Sequence, residues 1–332
     1  MIEVKKLKSD IENKIINSEK VVILPHNNAD FDAIGSAMGI SLVSKKLKKD
    51  SYILVNDPLY KLDPGVRIIV DENKREYNII NSDKYNGMVH PNDLFVLTDV
   101  NKKYLISIPE LIKSKDNTII IDHHDSDENT IEAASKYIDT SYSSASEIIV
   151  SLLSACKIKI PACVANYLYA GIYLDTAKLT KNCTADTMKA VSKLFEYGAN
   201  TNKVNDLFKE DFISDRKVQN LINNVQMTNL MIAIILADED EEYSREEIAK
   251  AADYVLKYGA DAAFAVGKIE DNMISISGRS TEKINIGSIM GALGGGGNPY
   301  SGATKIENST IEEVGKQLKK ALKPSYYIDN NK

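Results

Sequence analysis

Short apolar runs that end abruptly in acidic or imidazole side chains constrain this chain most. The run Val21 to Leu24 contains no polar residue, which is typical of a strand buried on both faces of a parallel sheet. Pro25 ends the run, and His26, Asp30 and Asp32 follow within seven residues, where a helical pattern begins. In open α/β sheets, loops at the carboxyl ends of strands line the ligand-binding crevice, so we expect these side chains there. Asp32 is equally well explained as a helix N-cap.

The same event recurs at two more predicted strands, Leu94 to Leu97 and Thr118 to Ile121, and after one predicted helix, Ala162 to Leu174. Acidic or imidazole side chains follow these elements: Asp99, Asp122, His123, His124 and Asp175. Imidazole with carboxylates and no thiolate suits manganese or magnesium, with zinc less favoured.

Six residues are the candidate ligands: His26, Asp30, Asp32, Asp99, His123 and Asp175. They are more than one ion requires. With one bridging carboxylate they fit two ions roughly 3.5 to 4 Å apart, which clamp the attacking and leaving oxygens of an in-line displacement. This arrangement favours hydrolysis of a phosphate ester or anhydride.

Alternating strand and helix patterns predict an α/β fold with two domains. We expect an N-terminal domain with a mostly parallel, doubly wound sheet (1–210), a helical connector (211–229) and a smaller C-terminal α/β domain (230–326). In the first domain the patterns also predict strands at Ser51 to Val55 and Gly65 to Val70, and mostly helix from Glu72 to Tyr85. In the second they predict three strands and two helices: Met231 to Ala237, Ala262 to Lys268 and Met273 to Ser277, with Arg245 to Lys257 and Ile286 to Leu293.

Composition excludes several classes of protein. The chain of 332 residues has a net charge of -6, which argues against wrapping long nucleic acid but allows a small nucleotide held by metals. Its three cysteines lack a CxxC spacing, so reduced thiols are expected. No apolar segment approaches the roughly 20 residues that span a bilayer, and the N-terminus is unlike a signal peptide. We expect a cytoplasmic protein without a membrane segment, and a homodimer is left open.

Two further stretches could contact a ligand. Ser143 and Ser144 precede the helical segment Glu147 to Ala155, where they are explained as a helix cap or, alternatively, as part of an anion site. In the second domain, a glycine run from Gly294 to Gly297 directly follows a predicted helix, and Arg279 precedes that helix. Such a run can bring backbone N–H groups close to a nucleotide.

These motifs together resemble a known family. HNNADFDAIGSA, the aspartate of VLTDV, IDHHDSD and GIYLDT are similar to the four successive motifs of the DHH phosphoesterase superfamily. SGRS with LGGGGN resembles the DHH-associated C-terminal domain. SYSSASE, AAFAVGKIEDNMISISGRS and INIGSIMGALGGGG resemble, more closely, the catalytic portion of GdpP-type cyclic-di-AMP phosphodiesterases. The resemblance covers nearly the whole chain.

The resemblance implies a role for each matching residue. His26 and Asp30 would hold one metal, Asp32, His123 and Asp175 the other, and Asp99 would bridge them. Catalytic roles are implied for Asp99, for Asp122, which would orient an imidazole, and for His124, which would contact the scissile phosphate. Substrate contacts are implied for eight residues: Ser143, Ser144, Arg279, Ser280, Gly295, Gly296, Gly297 and Asn298. Asn298 departs from the family, whose glycine run is normally followed by His.

The implied function is metal-dependent hydrolysis of cyclic di-AMP to the linear dinucleotide pApA, with AMP as a further product. Two divalent cations are implied, with Mn²⁺ preferred and Mg²⁺ or Co²⁺ as alternatives. A short-oligonucleotide exonuclease with pAp phosphatase activity and a weakly catalytic nucleotide sensor are the competing hypotheses. GdpP-type proteins carry membrane, PAS and degenerate cyclase segments ahead of this portion, so the chain is expected to be either a stand-alone enzyme or a truncated one.

Overall fold

The computed structural model describes residues 2–57, 62–112, 114–209, 212–228, 230–281 and 284–322. These residues form two compact units, Met1–Lys209 and Glu210–Lys332. Each unit has its own hydrophobic core around its own sheet. The predicted domain limits at 210, 211, 229 and 326 fall on residues outside the described ranges.

The first unit is built on a six-stranded sheet in which every strand pair is parallel. Its strands are β1 Val21–Leu24, β2 Ser51–Leu54, β3 Ile79–Ile80, β4 Leu94–Thr98, β5 Thr118–Asp122 and β6 Ser135–Ile138. The strand order is β3-β2-β1-β4-β5-β6, so the sheet grows in opposite directions from β1 and β4. This is the doubly wound order, and ligands bind at the carboxyl ends of its central strands. The sequence-based prediction of the fold class is therefore confirmed.

Eight helices accompany this sheet in the described part of the unit: α1 Val4–Asn17, α2 Phe31–Lys46, α3 Pro64–Asn73, α4 Ser82–Asn86, α5 Ala145–Ala155, α6 Ala162–Asp175, α7 Ala185–Glu196 and α8 Thr201–Leu207. Helix α2 is buried on every side along 31–44, as expected for a helix enclosed by other elements. It packs against α5, α6 and β1. Thus α2 begins at the carboxyl end of β1 and is held in place from several directions.

Two sequence-based predictions in this unit are wrong. Gly65 to Val70 was predicted as a strand, but it lies in α3, because Pro64 occupies the first helical turn and the apolar residues 66, 69 and 70 have helical spacing. Glu72 to Tyr85 was predicted as mostly helix. Instead α3 ends at Asn73, and β3 and α4 follow, with the Asn81 side chain capping α4.

The second unit contains a mixed six-stranded sheet with β8 and β9 as its parallel pair. Its strands are β7 Val225–Met227, β8 Ile232–Leu236, β9 Ala262–Glu270, β10 Met273–Ser280, β11 Gly296–Gly297 and β12 Ser301–Glu307, in the order β11-β12-β10-β9-β8-β7. Its helices are α9 Phe212–Asn223, α10 Arg245–Leu256, α11 Ile286–Ala292 and α12 Ile311–Ala321. The predicted connector thus holds α9 and then β7, which pairs with β8. Strand β10 runs three residues farther than predicted and includes Arg279.

None of the helices in the described ranges combines the length and the apolar character needed to cross a membrane.

Candidate metal centre

The loop after β1 directs one imidazole toward two carboxylates. His26 Nε2 lies 3.4 Å from Asp99 Oδ2 and 3.7 Å from Asp30 Oδ1. The other ring nitrogen, Nδ1, lies 2.8 Å from the carbonyl oxygen of Asn27, to which only an N–H can donate. This hydrogen bond leaves Nε2 facing the carboxylates, which is the usual arrangement of a metal-ligating histidine.

Asp99 occupies the centre of the cluster. It follows β4 directly, is 3% exposed, and has a φ of 60°, the left-handed conformation that aspartate tolerates better than most residues. Its Oδ2 faces His26, while its Oδ1 lies 3.4 Å from His123 Nε2. The two oxygens of one carboxylate therefore face imidazoles from two different strand ends, as a bridging ligand requires.

A second group of ligands surrounds His123, which follows β5. Its Nε2 lies 3.4 Å from Asp175 Oδ2 and 4.0 Å from Asp32 Oδ2. Asp175 is the last residue of α6, and Asp32 lies in the first turn of α2. Side chains from a strand end, a helix start and a helix end thus meet at one point.

The environment of Asp32 corrects the N-cap alternative. Asp30, not Asp32, caps α2, since its Oδ1 accepts the N–H groups of Asp32 and Ala33 at 2.8 and 3.0 Å. The Asp32 carboxylate is fully buried and accepts two other N–H groups, from Ala145 and Ser146, both at 2.7 Å. These amides form the start of α5, whose positive end stabilises a carboxylate. The helix start that the sequence suggested as an anion site therefore contacts Asp32.

The two serines ahead of α5 are engaged within the same unit. Ser144 is the N-cap of α5 and accepts the N–H of Glu147. Ser143 donates its hydroxyl to Glu147 Oε2 at 2.6 Å, and the backbone N–H of Ser143 donates to the same oxygen. Both serines are buried. The phosphate contact implied for them stays a prediction.

A hydrogen-bond network beside the cluster of candidate ligands orients His124. Asp122 Oδ1 accepts the N–H groups of His123 and His124 and lies 2.9 Å from His124 Nδ1. Because the buried carboxylate holds Nδ1, the opposite nitrogen Nε2 is left for another partner, on an imidazole whose side chain is 59% exposed. Asn101 Nδ2 donates to Asp122 Oδ2 at 2.6 Å and to the carbonyl oxygens of His124 and Asp125 at 3.3 Å.

Sequence reasoning missed Asn101, although a signal was present. Asn101 lies two residues after Asp99, at the same carboxyl edge of the sheet where the other polar residues were selected. Asparagine is also common in turns, so its residue type alone does not mark it as functional. The donors of Ala145 and Ser146 could not be found in this way, since any residue type supplies a backbone N–H.

The residues fit a divalent cation. Three sets of side chains have potential ligand atoms within 4.8 Å of one another: His26, Asp30 and Asp99; Asp32, His123 and Asp175; and Asp99, His123 and His124. Asp99 Oδ1, His123 Nε2 and Asp175 Oδ2 are buried and have no hydrogen-bond partner. Buried polar atoms are normally paired, so these three atoms face a space that a cation would fill. The donor set of nitrogen and oxygen suits a hard or borderline divalent metal.

The pKa values of the ligand candidates also indicate a site for a cation. Burial, followed by the charges of Asp32 and Asp99, raises the pKa of Asp175 to about 10. Burial lowers the pKa of His26, but Asp30 and Asp99 outweigh it and raise this pKa to about 11. Burial also lowers the pKa of His123, but the carboxylates of Asp99 and Asp32 outweigh it and raise this pKa to about 9. Without a cation, protons therefore balance the negative charge of this buried site.

The other predicted substrate residues lie in the second unit. Arg279 Nε pairs with Asp253 Oδ1 at 2.9 Å, and Arg279 Nη1 donates to Ser277 Oγ. Ser280 is buried and donates its hydroxyl to the carbonyl oxygen of Asp261. These contacts anchor Arg279 on β10 while about a quarter of its side chain stays exposed, at 23%.

The glycine loop approaches the same part of the second sheet. Arg279 is opposite Ser301 in the β10–β12 pairing, and the N–H of Asn298 donates to the Ser301 carbonyl oxygen. Asn298 Oδ1 accepts the N–H groups of Tyr300 and Ser301, both at 2.8 Å, so this side chain closes the turn before β12. Gly295, Gly296 and Gly297 are exposed. At Gly295 a Cβ would lie 2.2 Å from a backbone oxygen, so close strand approach requires a glycine there.

The fold and the site define a doubly wound α/β domain with a carboxylate and imidazole cluster, followed by a second α/β domain. Residues 20–172 match the DHH family, N-terminal domain, and residues 226–324 match the DHHA1 domain. The chain therefore belongs to the DHH family and carries a DHHA1 domain after the DHH domain.

Curated relatives include phosphodiesterases. The chain is 31% identical to the cyclic-di-AMP phosphodiesterase GdpP of Geobacillus thermodenitrificans, over 93% of this chain and 48% of that protein. It is 32% identical to a membrane protein–large ribosomal subunit bL9 fusion protein of Aster yellows witches'-broom phytoplasma, over 92% and 37% of the two chains. The chain thus spans half or less of the length of these relatives. Identity is 26% to the bifunctional oligoribonuclease and PAP phosphatase NrnA of Mycoplasma genitalium, over 91% and 93%.

Solved structures share the fold. An exopolyphosphatase-related protein from Bacteroides fragilis has a TM-score of 0.78 and 20% identity, with 97% of both chains covered. Exonuclease RecJ, in a structure bound to manganese, has a TM-score of 0.57 and 11% identity, with 97% and 94% covered. At these identities the likeness concerns the fold alone.

Proposed function

We propose that this chain is a phosphodiesterase that uses two divalent cations, with Mn²⁺ preferred, to open cyclic di-AMP to pApA. The observation that carries the proposal is the position of Asp99, whose two oxygens face His26 in one ligand group and His123 in the other. A shared carboxylate between two such groups is the arrangement of two-metal phosphoryl-transfer sites. The relatives named as cyclic-di-AMP phosphodiesterases support the choice of substrate.

The ligand candidates would bind the two cations in two groups. His26 and Asp30 would hold one cation, Asp32, His123 and Asp175 the other, and Asp99 both. Bound cations supply Lewis acidity and activate a water for attack on phosphorus.

His124 would contact the scissile phosphate through Nε2, since Asp122 holds the other ring nitrogen at 2.9 Å. The hydrogen bond with Asp122 raises the pKa of His124, and in the charged ring both nitrogens are donors. A charged imidazole fixed in this way can donate from Nε2 to a phosphate oxygen without first losing rotational freedom, and such positioning contributes to the rate.

The other proposed substrate contacts lie on the second unit. Arg279 suits a bidentate phosphate contact, and exposed backbone N–H groups at Gly295, Gly296 and Gly297 can approach a ligand closely. We also keep Ser280 and Asn298 as proposed contacts, together with Ser143 and Ser144 in the first unit. For Asn298, whose Oδ1 closes a turn, Nδ2 is the group left to donate.

A second candidate function is supported by a different observation. The relative named as oligoribonuclease and PAP phosphatase has nearly the same extent as this chain, because the match covers 93% of it. We therefore retain hydrolysis of short linear oligonucleotides and pAp as the alternative activity. A sensor with little catalysis is less favoured, because the ligand set of the metal centre is intact.

Chromatography of reaction products separates these functions. The protein is incubated with MnCl₂ and, in separate reactions, with cyclic di-AMP, pApA and pAp. The Asp99→Asn variant is the matched control, because asparagine tolerates the left-handed backbone of this position but cannot bridge as an anion. We expect wild-type protein to convert cyclic di-AMP to pApA, and the variant to lose more than about 100-fold, the upper loss for residues that only support ligands.

Each other outcome identifies a different function. Conversion of pApA or pAp without conversion of cyclic di-AMP would favour the alternative. Binding without any product would favour the sensor, and an Asp99→Asn variant with wild-type turnover would contradict the two-metal centre.

A further inference from the structure

We infer that Gly171 is a positioning residue that sets the distance between Asp175 and the other ligands of the second group, Asp32 and His123. Gly171 lies in the interior of α6, where a glycine is less favourable than alanine because it loses more conformational freedom on folding. A residue that weakens its own helix needs a reason in the packing. The inference rests on the proposed metal centre and concerns how that centre is built.

The space around Gly171 supplies that reason. A Cβ at this position would lie 2.6 Å from Ser146 Oγ, 2.7 Å from Asp32 Oδ1 and 2.8 Å from Asp32 Cα, whereas ordinary contacts are 3.4–4 Å. Real Cβ atoms essentially never approach other atoms closer than 3.0 Å. Helix α6 therefore touches the backbone of α2 directly at a metal ligand.

Asp32 cannot move aside to accommodate a side chain. Both of its carboxylate oxygens accept N–H groups from the start of α5 at 2.7 Å, and its Cα belongs to the backbone of a fully buried helix turn. A methyl group at 171 would consequently displace α6. Asp175 lies four residues later, about one turn along the same face, so it would move with the helix.

A second contact shows that the spacing of the two helices is fixed along their length. On α2, Gly35 follows Asp32 by about one turn, and a Cβ there would lie 2.9 Å from the carbonyl oxygen of Tyr167 on α6. Tyr167 precedes Gly171 by about one turn. The pairs formed by Asp32 with Gly171 and by Gly35 with Tyr167 thus define an antiparallel register at backbone contact.

The consequence is selective for one ligand group. His26, Asp30 and Asp99 lie outside α6, on the chain segments that follow β1 and β4. Displacement of α6 should leave these three residues in place and open the second group. Changes in residues that support metal ligands typically cost 10- to 100-fold in affinity, so we expect about that loss for one of two cations.

Metal binding tests the inference without reference to substrate. Calorimetric titration with MnCl₂ gives the number of sites, and electron paramagnetic resonance distinguishes a coupled pair of Mn²⁺ ions from an isolated ion. The variants are Gly171→Ala, Asp175→Ala, which removes the ligand itself, and Gly87→Ala. Gly87 is the matched control, because it is a glycine of the same unit with a negative φ of -74°, and a Cβ there would meet nothing within 4 Å.

We expect two coupled ions in wild-type protein and in Gly87→Ala. In Gly171→Ala and Asp175→Ala we expect one ion at wild-type affinity and a second that binds at least about 10-fold more weakly, so that an uncoupled ion is seen at limiting MnCl₂. A folded Gly171→Ala protein that binds two ions with wild-type affinity would overturn the inference and leave the metal centre standing. Wild-type protein that binds no Mn²⁺ would instead overturn the metal centre. If Gly171→Ala does not fold, Gly35→Ala makes the milder intrusion into the same contact, and retention of both ions there would also overturn the inference.

Discussion

Asn101 acts on the site through Asp122 and not through a direct contact with the ligand cluster. It donates to the Asp122 oxygen opposite the one that holds His124, and it also joins the carbonyl oxygens of the following turn. Loss of this donor would remove a hydrogen bond from the buried Asp122 carboxylate. It would also remove the hydrogen bonds that hold the turn after His123 and His124.

For Asn101→Ala we expect a loss of about 10- to 100-fold in kcat, with the number of bound Mn²⁺ ions unchanged. Steady-state kinetics and metal analysis measure the two quantities. The matched control is Asn166→Ala, because Asn166 is also buried and accepts the N–H of Asn200 away from the ligands. This control should lose stability and keep kcat. Equal kcat in wild-type protein and Asn101→Ala would show that Asp122 needs no such support.

Asp175 makes the metal-free protein less stable as the pH rises. Its pKa is raised from 3.8 to about 10, so between these values the folded protein retains a proton that the unfolded chain releases. Stability is therefore highest near or below pH 3.8 with respect to this group, and it is lost progressively as the pH rises to about 10.

Asp175→Asn cannot ionise, so in EDTA at about pH 8 we expect a higher Tm than for wild-type protein. At about pH 4 the difference should be small, since the folded carboxyl is protonated and this pH lies close to the pKa of 3.8 at which the unfolded carboxyl begins to ionise. Addition of MnCl₂ should reverse the order, because only wild-type protein keeps the full ligand set. Thermal unfolding with EDTA and with MnCl₂ measures all three conditions. A lower Tm of the variant in EDTA at both pH values would contradict the assigned burial of Asp175.

At the scale of elements, the turn after α6 stores backbone strain beside a ligand. Ala177, Lys178 and Leu179 have φ values of 46°, 66° and 62°, three consecutive left-handed residues directly after Asp175 and Thr176. Each such residue costs roughly 1–2 kcal/mol when it is not glycine. The buried Thr176 holds this turn, since its hydroxyl bonds the Ile172 carbonyl oxygen and accepts the N–H of Leu179.

Lys178 is exposed, so Lys178→Gly should relieve strain without loss of packing. We expect a gain of about 0.5 to 1 kcal/mol in the free energy of unfolding, after the greater flexibility of glycine in the unfolded chain is counted. The same substitution at exposed Lys189, inside α7, should instead cost about 1 kcal/mol. Urea unfolding of the two variants measures both changes. Destabilisation of Lys178→Gly as large as that of Lys189→Gly would mean that the lysine side chain stabilises the turn.

The elements that the sequence predicted well are those with unbroken apolar runs. Strands β1, β4 and β5 were predicted within one residue, because three or four consecutive apolar residues can be buried on both faces of a parallel sheet. The same rule gave the wrong prediction of a strand for Gly65 to Val70. Its apolar residues fit either a short strand or a helix, and only the start at Pro64 distinguishes the two.

For the site, residue type and position at the end of a strand or, for Asp175, of a helix selected the six ligand candidates that the fold brings together. The contacts that support them are of another kind. The amides that hold Asp32, the glycine contact at Gly171 and the strain after Asp175 arise from backbone geometry between distant segments. Such geometry is determined by tertiary packing, which local sequence patterns do not encode.

At the scale of the whole molecule, the candidate metal ligands and the proposed phosphate-binding arginine belong to different units of the chain. The six ligand candidates lie in Met1–Lys209, and Arg279 lies in Glu210–Lys332. Changes at Arg279 should therefore separate substrate binding from metal binding. The ion pair of Arg279 with Asp253 offers the control, since Asp253 can be altered while the arginine remains.

For Arg279→Ala we expect KM for cyclic di-AMP to rise by about 10-fold or more, because hydrogen bonds to charged groups contribute roughly 1.5–3 kcal/mol. The number of bound Mn²⁺ ions should stay unchanged. Asp253→Asn keeps the guanidinium and removes a competing carboxylate, so its KM should be equal to or below that of wild-type protein. Steady-state kinetics and calorimetric titration with MnCl₂ give both quantities for each variant. A rise in KM of equal size in the two variants would mean that the ion pair maintains the shape of β10 and that Arg279 does not bind phosphate, whereas loss of Mn²⁺ from Arg279→Ala would place this residue in the metal centre.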